Sequence, residues 1–372
     1  MKNSRIAAQA IILLVVVGIC SLCVNSTQAQ DNAKGVTCAD VNYTLTPNTS
    51  TTNAEQALRT PPNSTGPTLA NIGLYVEEID NIDVNNDSYD MTGYLDLQWC
   101  DPRLASANPQ VFLNHVALGK LETMWWPDVN FSNELHPREI EDEELTIAVD
   151  GTLDYREKFA VSLQTDYDLR KFPFDSQHLL ATVESFEWTA EQLTLQVEDK
   201  VVGFSKDFSI PQWQITDVSE DLTSKQDVRD RAPFSEVKVD IAVQRDPGYY
   251  MTKVIIPLLA IVGISLFALW LSPEETKDRV ELIFTGVLTS VAYQFVIADS
   301  LPHHIYDTLV DAFVGWSFAV MVLAIIETMA ISLLIRNDHL IQARNTDRVL
   351  RLALPVVYAA GTILLFLIYA SR

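Results

Sequence analysis

Four apolar stretches close this chain, at approximately 251–271, 280–298, 305–335 and 349–370. A hydrocarbon core about 30 Å thick takes ~20 residues of helix to cross. In lipid every backbone N–H and C=O must be satisfied within the segment, so helix is the form such stretches adopt. The third is longer than a crossing requires and is expected to tilt or to project beyond the bilayer. The connection between the third and fourth carries Arg336, Arg344, Arg348 and Arg351 against Asp338 and Asp347. That excess of arginine places it on the cytoplasmic side.

Charge is concentrated elsewhere. Of 49 acidic and 26 basic residues in 372, the segment from Asp31 to Tyr250 holds 39 and 16, and the remainder balances to zero. Nucleic-acid binding is excluded on this count, because phosphate contacts need clustered Lys and Arg. The composition also excludes collagen, coiled-coil and disordered classes.

The first 29 residues read as a secretory signal: Lys2 and Arg5, an apolar core from Ile11 to Val24, and a Thr27-Gln28-Ala29 cleavage site. An uncleaved anchor is the alternative, for which the apolar run is short. Cys20 and Cys23 leave with the peptide. Cys38 and Cys100 remain in an exported, oxidising setting, and a disulfide between them is the simplest reading; two buried thiols are the alternative. An exported N-terminal domain followed by four spans also puts the C-terminus outside. The chain is thus expected in a plasma membrane or bacterial inner membrane.

The acidic segment reads as β-structure. Tyr94–Trp99, Phe159–Leu163, Leu193–Val197 and Val237–Ile241 alternate with period two, and Asp150-Gly151, Pro102, Pro173 and Pro211 break the runs. Such runs without a long amphipathic helix predict an immunoglobulin-like β-sandwich ahead of a four-helix transmembrane bundle. The expected divisions are a signal peptide at 1–29, a partly irregular extension at 30–68, the sandwich at 69–249 and the membrane domain at 250–372. Within the last, the spans are set at 251–271, 278–299, 305–335 and 347–370. Sequons at Asn42, Asn48, Asn63, Asn86 and Asn130 are glycosylation sites if the host is eukaryotic.

The second apolar stretch has a marked face. Glu281, Thr285, Leu288, Ala292, Phe295 and Asp299 are spaced 4, 3, 4, 3 and 4 apart and share one side of a helix. An ionisable group at membrane depth must face water or a partner. Several copies in a ring, each presenting this stripe, would line a pore with carboxylates at both ends and an apolar constriction between. Acidic rings select cations, and apolar constrictions gate by dewetting.

Several motifs then carry a family resemblance: Asp168-Leu169-Arg170-Lys171-Phe172-Pro173-Phe174-Asp175, Trp99-Cys100-Asp101, Trp125-Trp126-Pro127-Asp128, and Arg245-Asp246-Pro247-Gly248-Tyr249-Tyr250 with Pro257 following. Leu301-Pro302 sits where a linker between the second and third spans would begin. From about Leu69 onward the chain resembles the pentameric ligand-gated ion channels, the Cys-loop receptor superfamily. It departs in carrying Thr165 and Leu179 at the places of the loop cysteines, and in a short third-to-fourth connection; both features resemble bacterial members. Glu184-Ser185-Phe186 and Val291-Ala292-Tyr293-Gln294-Phe295 are similar to the bacterial amine-gated channel.

The resemblance implies a homopentamer with agonist sites between neighbouring sandwiches and the second span lining the pore. It assigns ligand contacts to Tyr94, Asn130, Phe131, Glu184, Phe186, Trp188 and Phe234. Aromatic faces beside a carboxylate suit an ammonium ligand, so the expected partners are a small agonist such as an amine, permeating cations and lipid. Asp175 and Arg245 are expected to pair at the membrane end of the sandwich and, with Pro302 and His303, to couple it to the spans. Packing in the core is the alternative for each aromatic.

Two other readings stay open: a ligand-binding sensor without conductance, and an anion-conducting member of the same family. The sequence implies no cofactor and no metal, and no enzyme, since no nucleophile elbow, phosphate loop or metal-ligand spacing occurs.

Overall fold

The computed structural model describes residues 36–39, 41, 43, 57–197, 202–205, 208–226, 233–297 and 308–371. The secretory segment, Asn42, Asn48, Asp299, Pro302 and His303 lie outside the described residues.

Among the described residues eleven strands form two sheets. The first runs in the order β3 (Gln110–Leu113), β5 (Glu139–Ile147), β6 (Thr152–Gln164), β2 (Ser88–Cys100), β1 (Thr68–Asp83) and β8 (Leu193–Gln196), with β9 (Val202–Phe204) also on β1. The second runs β10 (Trp213–Gln226), β11 (Pro233–Arg245), β7 (Ser176–Ser185) and β4 (Val129–Phe131). Alternation sets which face each strand buries: in β6 the odd positions Leu153, Tyr155, Phe159, Val161 and Leu163 are buried, and in β7 the odd positions Leu179, Ala181 and Val183. Trp99, Trp125, Tyr89, Phe159 and Phe172 are the large side chains filling that core. A short helix, α1 (His115–Leu121), packs beside it.

Where β1 bulges between Val76 and Glu78, Gly93 on β2 lets the backbones approach; a Cβ there would lie 2.2 Å from the Tyr75 carbonyl oxygen. Cys38 and Cys100 are joined, with Cα atoms 5.0 Å apart, which ties the extension to the end of β2. At the positions of the family's loop cysteines the Thr165 hydroxyl donates to the His178 carbonyl at 2.6 Å beside buried Leu179, so the loop they flank is still held at its base.

Among the described residues four long helices follow: α2 (Gly248–Trp270), α3 (Thr276–Ile297), α4 (Leu309–Arg336) and α5 (Leu340–Ser371). They pack around a second apolar cluster that includes Leu258, Val262, Ile283, Phe313, Val320 and Tyr358. Three of them, α2, α4 and α5, are long and apolar enough to cross a membrane by length and composition. α3 opens on Lys277, Asp278, Arg279 and Glu281 at the head of the apolar stretch, and the expected span there runs beyond the described residues.

Local chemistry explains the helix contacts. Pro257 has no N–H for the Lys253 carbonyl, and the Tyr293 hydroxyl of α3 donates there instead. A wide π-helical turn, Met251–Ile255, accommodates the proline. Gly286 brings α3 against α2, since a methyl group at that position would overlap the Ser265 hydroxyl at 1.8 Å. Thr308 and Asp311 cap α4 reciprocally.

Candidate functional site

Three groups of side chains matter, and the fold places them at different heights. On the outer face of the second sheet, register sets Asn130 of β4 opposite Glu184 of β7, and Glu184 opposite Glu236 of β11. Partners in register share a face and lie close enough to interact. Glu236 is buried, and it stands out because sequence alone gives no reason to single it out. Phe234, two residues earlier on the same face, is buried yet lies outside the apolar core. Phe186 follows β7, 62% exposed, with its N–H donating to the Asp128 carbonyl at 3.0 Å. Asn130, Glu184, Glu236, Phe234 and Phe186 therefore gather at one end of one sheet.

Three expected ligand contacts do not gather there. Phe131 points into the core, 2% exposed, with its ring 5.1 Å from Phe159. Alternation along β4 turns it away from the face that carries Asn130, so it is a packing residue. Trp188 donates its Nε1–H to the Trp126 carbonyl at 2.9 Å and sets its ring 5.9 Å from Trp125, which makes it a lid on the core. Tyr94 lies on the outer face of the first sheet, opposite Lys158 and 6.2 Å from the Tyr75 ring. Within one chain it is on the other side of the sandwich from Glu184.

Arg138 braces Asn130 from behind. Its guanidinium donates to Asn130 Oδ1 at 2.7 Å and to the Val129 carbonyl at 2.9 Å, and it pairs with Glu157 at 2.5 Å. Among the sequons, Asn130 is thus engaged inside the fold. Asn86 sits exposed in the β1–β2 turn, hydrogen-bonded to Asp83, and Asn63 donates to the Pro67 carbonyl.

At the membrane end Arg245 and Asp175 form a bidentate pair, Nε to Oδ1 at 2.8 Å and Nη2 to Oδ2 at 3.1 Å, with 5% and 1% of each side chain exposed. Gln177 donates to the same carboxylate at 2.6 Å. The guanidinium also lies 4.1 Å above the Trp213 ring and 5.0 Å from that of Phe172, which meets Tyr250 at 4.5 Å. Only arginine offers a planar fork that can satisfy a carboxylate and stack on an indole together. Phe174, in the same loop, reaches Phe366 of α5 at 6.0 Å. One loop thus touches the strand entering α2 and the last helix.

The third group is the stripe on α3. Glu281, Thr285, Leu288, Ala292 and Phe295 are all exposed, Leu288 at 55% and Phe295 at 78%, whereas Ile283, Val287 and Ser290 on the opposite side are buried against the other helices. Thr285 donates to the Glu281 carbonyl at 2.7 Å, which leaves its oxygen lone pairs outward. Arg279, which sequence reading passes over, is fully buried: it donates to the carbonyls of Leu269 and Leu271 and pairs with Asp347 at 2.6 Å. It closes the end of α2 and joins three helices.

Comparison with known proteins bears on these three groups together. Residues 51–247 match the profile of the neurotransmitter-gated ion-channel ligand binding domain. The chain belongs to the neurotransmitter-gated, Cys-loop family of ligand-gated ion channels. It is 25% identical over 311 residues to a proton-gated ion channel of Gloeobacter violaceus, covering 83% of this chain and 85% of that one. It is also 25% identical to the gamma-aminobutyric acid receptor subunit beta-4 of Gallus gallus, over 70% of this chain and 54% of the subunit. A beta-like subunit of Drosophila melanogaster is 25% identical over 74% of this chain and 58% of its own length. The chain therefore spans most of the bacterial relative and little more than half of the animal subunits. These relatives are ion channels rather than enzymes. Among the described residues no cluster of His, Cys, Asp and Glu is arranged to hold a metal.

Proposed function

We propose that five copies of this chain form a cation channel with α3 lining the pore, opened by a small cationic ligand held between neighbouring β domains. The exposed α3 stripe carries the reading. A helix that buries Ile283 and Val287 inside its own chain while turning a carboxylate, a hydroxyl and an apolar series outward needs an aqueous lumen for that side. Around a five-fold axis Glu281 forms an inner acidic ring, and Leu288, Ala292 and Phe295 form a constriction that stays dry until it widens.

The ligand is assigned from the end of the second sheet. Glu184 and Glu236 in register with Asn130, beside exposed Phe186, offer negative charge and an aromatic face, the chemistry that recognises an ammonium group. Tyr94, on the far sheet, supplies the complementary face from the adjacent copy, which explains why one chain does not assemble the set. The plasma membrane or bacterial inner membrane is the expected site, with the β domain outside.

The test is current recording from the full chain reconstituted in planar bilayers, with a panel of primary and quaternary amines applied to the β-domain side. Amine-evoked current that reverses near the sodium equilibrium potential supports the reading. Current reversing with chloride would overturn the selectivity, and purified pentamers that bind an amine without conducting would make the chain a sensor.

A further inference from the structure

On the core side of the first sheet, Glu143 of β5 stands directly opposite Glu157 of β6. Two like charges in register on one face repel. Glu157 has no exposed surface, and Tyr155, two residues before it on the same face, places its hydroxyl between the two carboxylates: 2.8 Å from Glu157 Oε2 and 3.1 Å from Glu143 Oε1. A phenol has one proton to donate. It serves Glu157 at the shorter distance and reaches an ionised Glu143 only by being shared between the two carboxylates, whereas a protonated Glu143 can donate its own proton to the phenol oxygen.

The surroundings favour a proton on Glu143. The groups facing the cluster are Arg138 and Glu134, from the segment between β4 and β5, with Tyr155 and Glu157 from β6. Arg138 is the one cation among them, and its Nε and Nη2 are both committed to Glu157, at 2.5 and 3.3 Å. Glu134 brings a further carboxyl with one buried oxygen unpartnered. Burial pushes the Glu143 carboxyl above its ordinary value; the Tyr155 hydrogen bond opposes this, Glu157 adds to it, and Arg138 opposes it.

We propose that Glu143 is a proton-binding site of the extracellular domain, its proton resting on the Tyr155 hydroxyl so that the phenol proton is left to Glu157, which holds Arg138 against Asn130. Binding takes one proton from solvent and gives neutral Glu143; the phenol keeps its own proton throughout. When Glu143 ionises, two carboxylates compete for one hydroxyl, and the brace behind Asn130 weakens. The consequence for ligand binding rests on the placing of Asn130 at the ligand site; the proton site itself does not.

The sign follows from linkage. The folded chain holds this proton more tightly than the unfolded chain, so the stabilisation is complete below the ordinary Glu value and is lost as pH rises through the raised value of Glu143. Purified full-length channel in detergent should show, in acid-minus-alkaline infrared difference spectra, a protonated-carboxyl band that titrates above the ordinary Glu range. Glu143→Gln should abolish that band, and its thermal midpoint should lose the pH dependence in that window. Tyr155→Phe should keep the band and shift its frequency, while Glu144→Gln, on the opposite face, should change neither. A band that survives Glu143→Gln, or one that Tyr155→Phe leaves unshifted, overturns the proposal. A pH-dependent amine affinity that is lost in Glu143→Gln extends it to Asn130; an affinity without that dependence, with the band behaving as stated, overturns the brace alone.

Discussion

Arg279 in the first turns of α3 and Asp347 in the second turn of α5 are paired at 2.6 Å with no exposed surface on either side chain. The other Asp347 oxygen takes Arg351, also at 2.6 Å. Removing one partner of a buried pair leaves an uncompensated charge and costs about 3–5 kcal/mol. Asp347→Asn strands two guanidiniums and should lower the thermal midpoint of the detergent-purified protein strongly. Arg279→Gln combined with Asp347→Asn removes charge from both sides and should recover part of the loss. A double variant as unstable as Asp347→Asn would locate the cost in the Leu269 and Leu271 carbonyls that Arg279 also serves.

Arg245 is expected to tolerate no conservative replacement. Lysine keeps the charge but loses the second hydrogen bond to Asp175 and the flat stack on Trp213. Arg245→Lys should therefore express and fold less well than the parent, and the channels that reach the membrane should need more agonist. Surface yield and dose–response curves measured together separate the two effects.

Single-channel recording addresses the pore. Glu281→Gln removes the inner carboxylate and should lower cation conductance without changing the apolar constriction. An unchanged conductance would move the selecting ring elsewhere.

Leu288→Ser puts a hydroxyl into the dry part of the stripe and should produce leak current and a left-shifted dose–response. A closed, unshifted channel would place the gate at another level of α3.

The Cys38–Cys100 bond closes a sequence separation of 62 residues. Constraining a loop of that length in the unfolded chain contributes ~4 kcal/mol by the chain-entropy estimate. Reduction should loosen the tie between the extension and β2 and lower the thermal midpoint, with the spans unaffected in far-ultraviolet helix content.

Periodicity in the sequence locates β2, β6, β8 and β11 and the outward stripe of α3, because a half-buried strand or helix writes its two environments into alternating residue types. Motif order points to the Asp175–Arg245 contact. Register does not show in one strand read alone, so the Glu143–Glu157 and Glu184–Glu236 oppositions appear only when strands are paired. Phe131 and Asn130 are neighbours in sequence and face opposite ways, so a motif that names the dipeptide cannot say which one meets a ligand. Arg279 lies inside the expected second span without being marked by any motif; its burial depends on carbonyls at the end of α2 and a carboxylate far along the chain.

The polar opening turns of α3 also bear on how the chain is made. A carboxylate costs about 2.5–3.5 kcal/mol on translocon scales at the centre of an inserting helix and less toward its ends, and α3 carries Glu281 in its second turn behind Lys277, Asp278 and Arg279. The helices on either side, α2 and α4, are long and apolar enough to cross a membrane. Newly synthesised α3 would therefore be retained by its neighbours, with Gly286 against Ser265 and the Tyr293 hydroxyl on the Lys253 carbonyl as its first holds. If the chain assembles as proposed, the outward face of α3 is until then a surface that the bilayer disfavours, and the nascent subunit has an energetic reason to seek company before it leaves the site of synthesis.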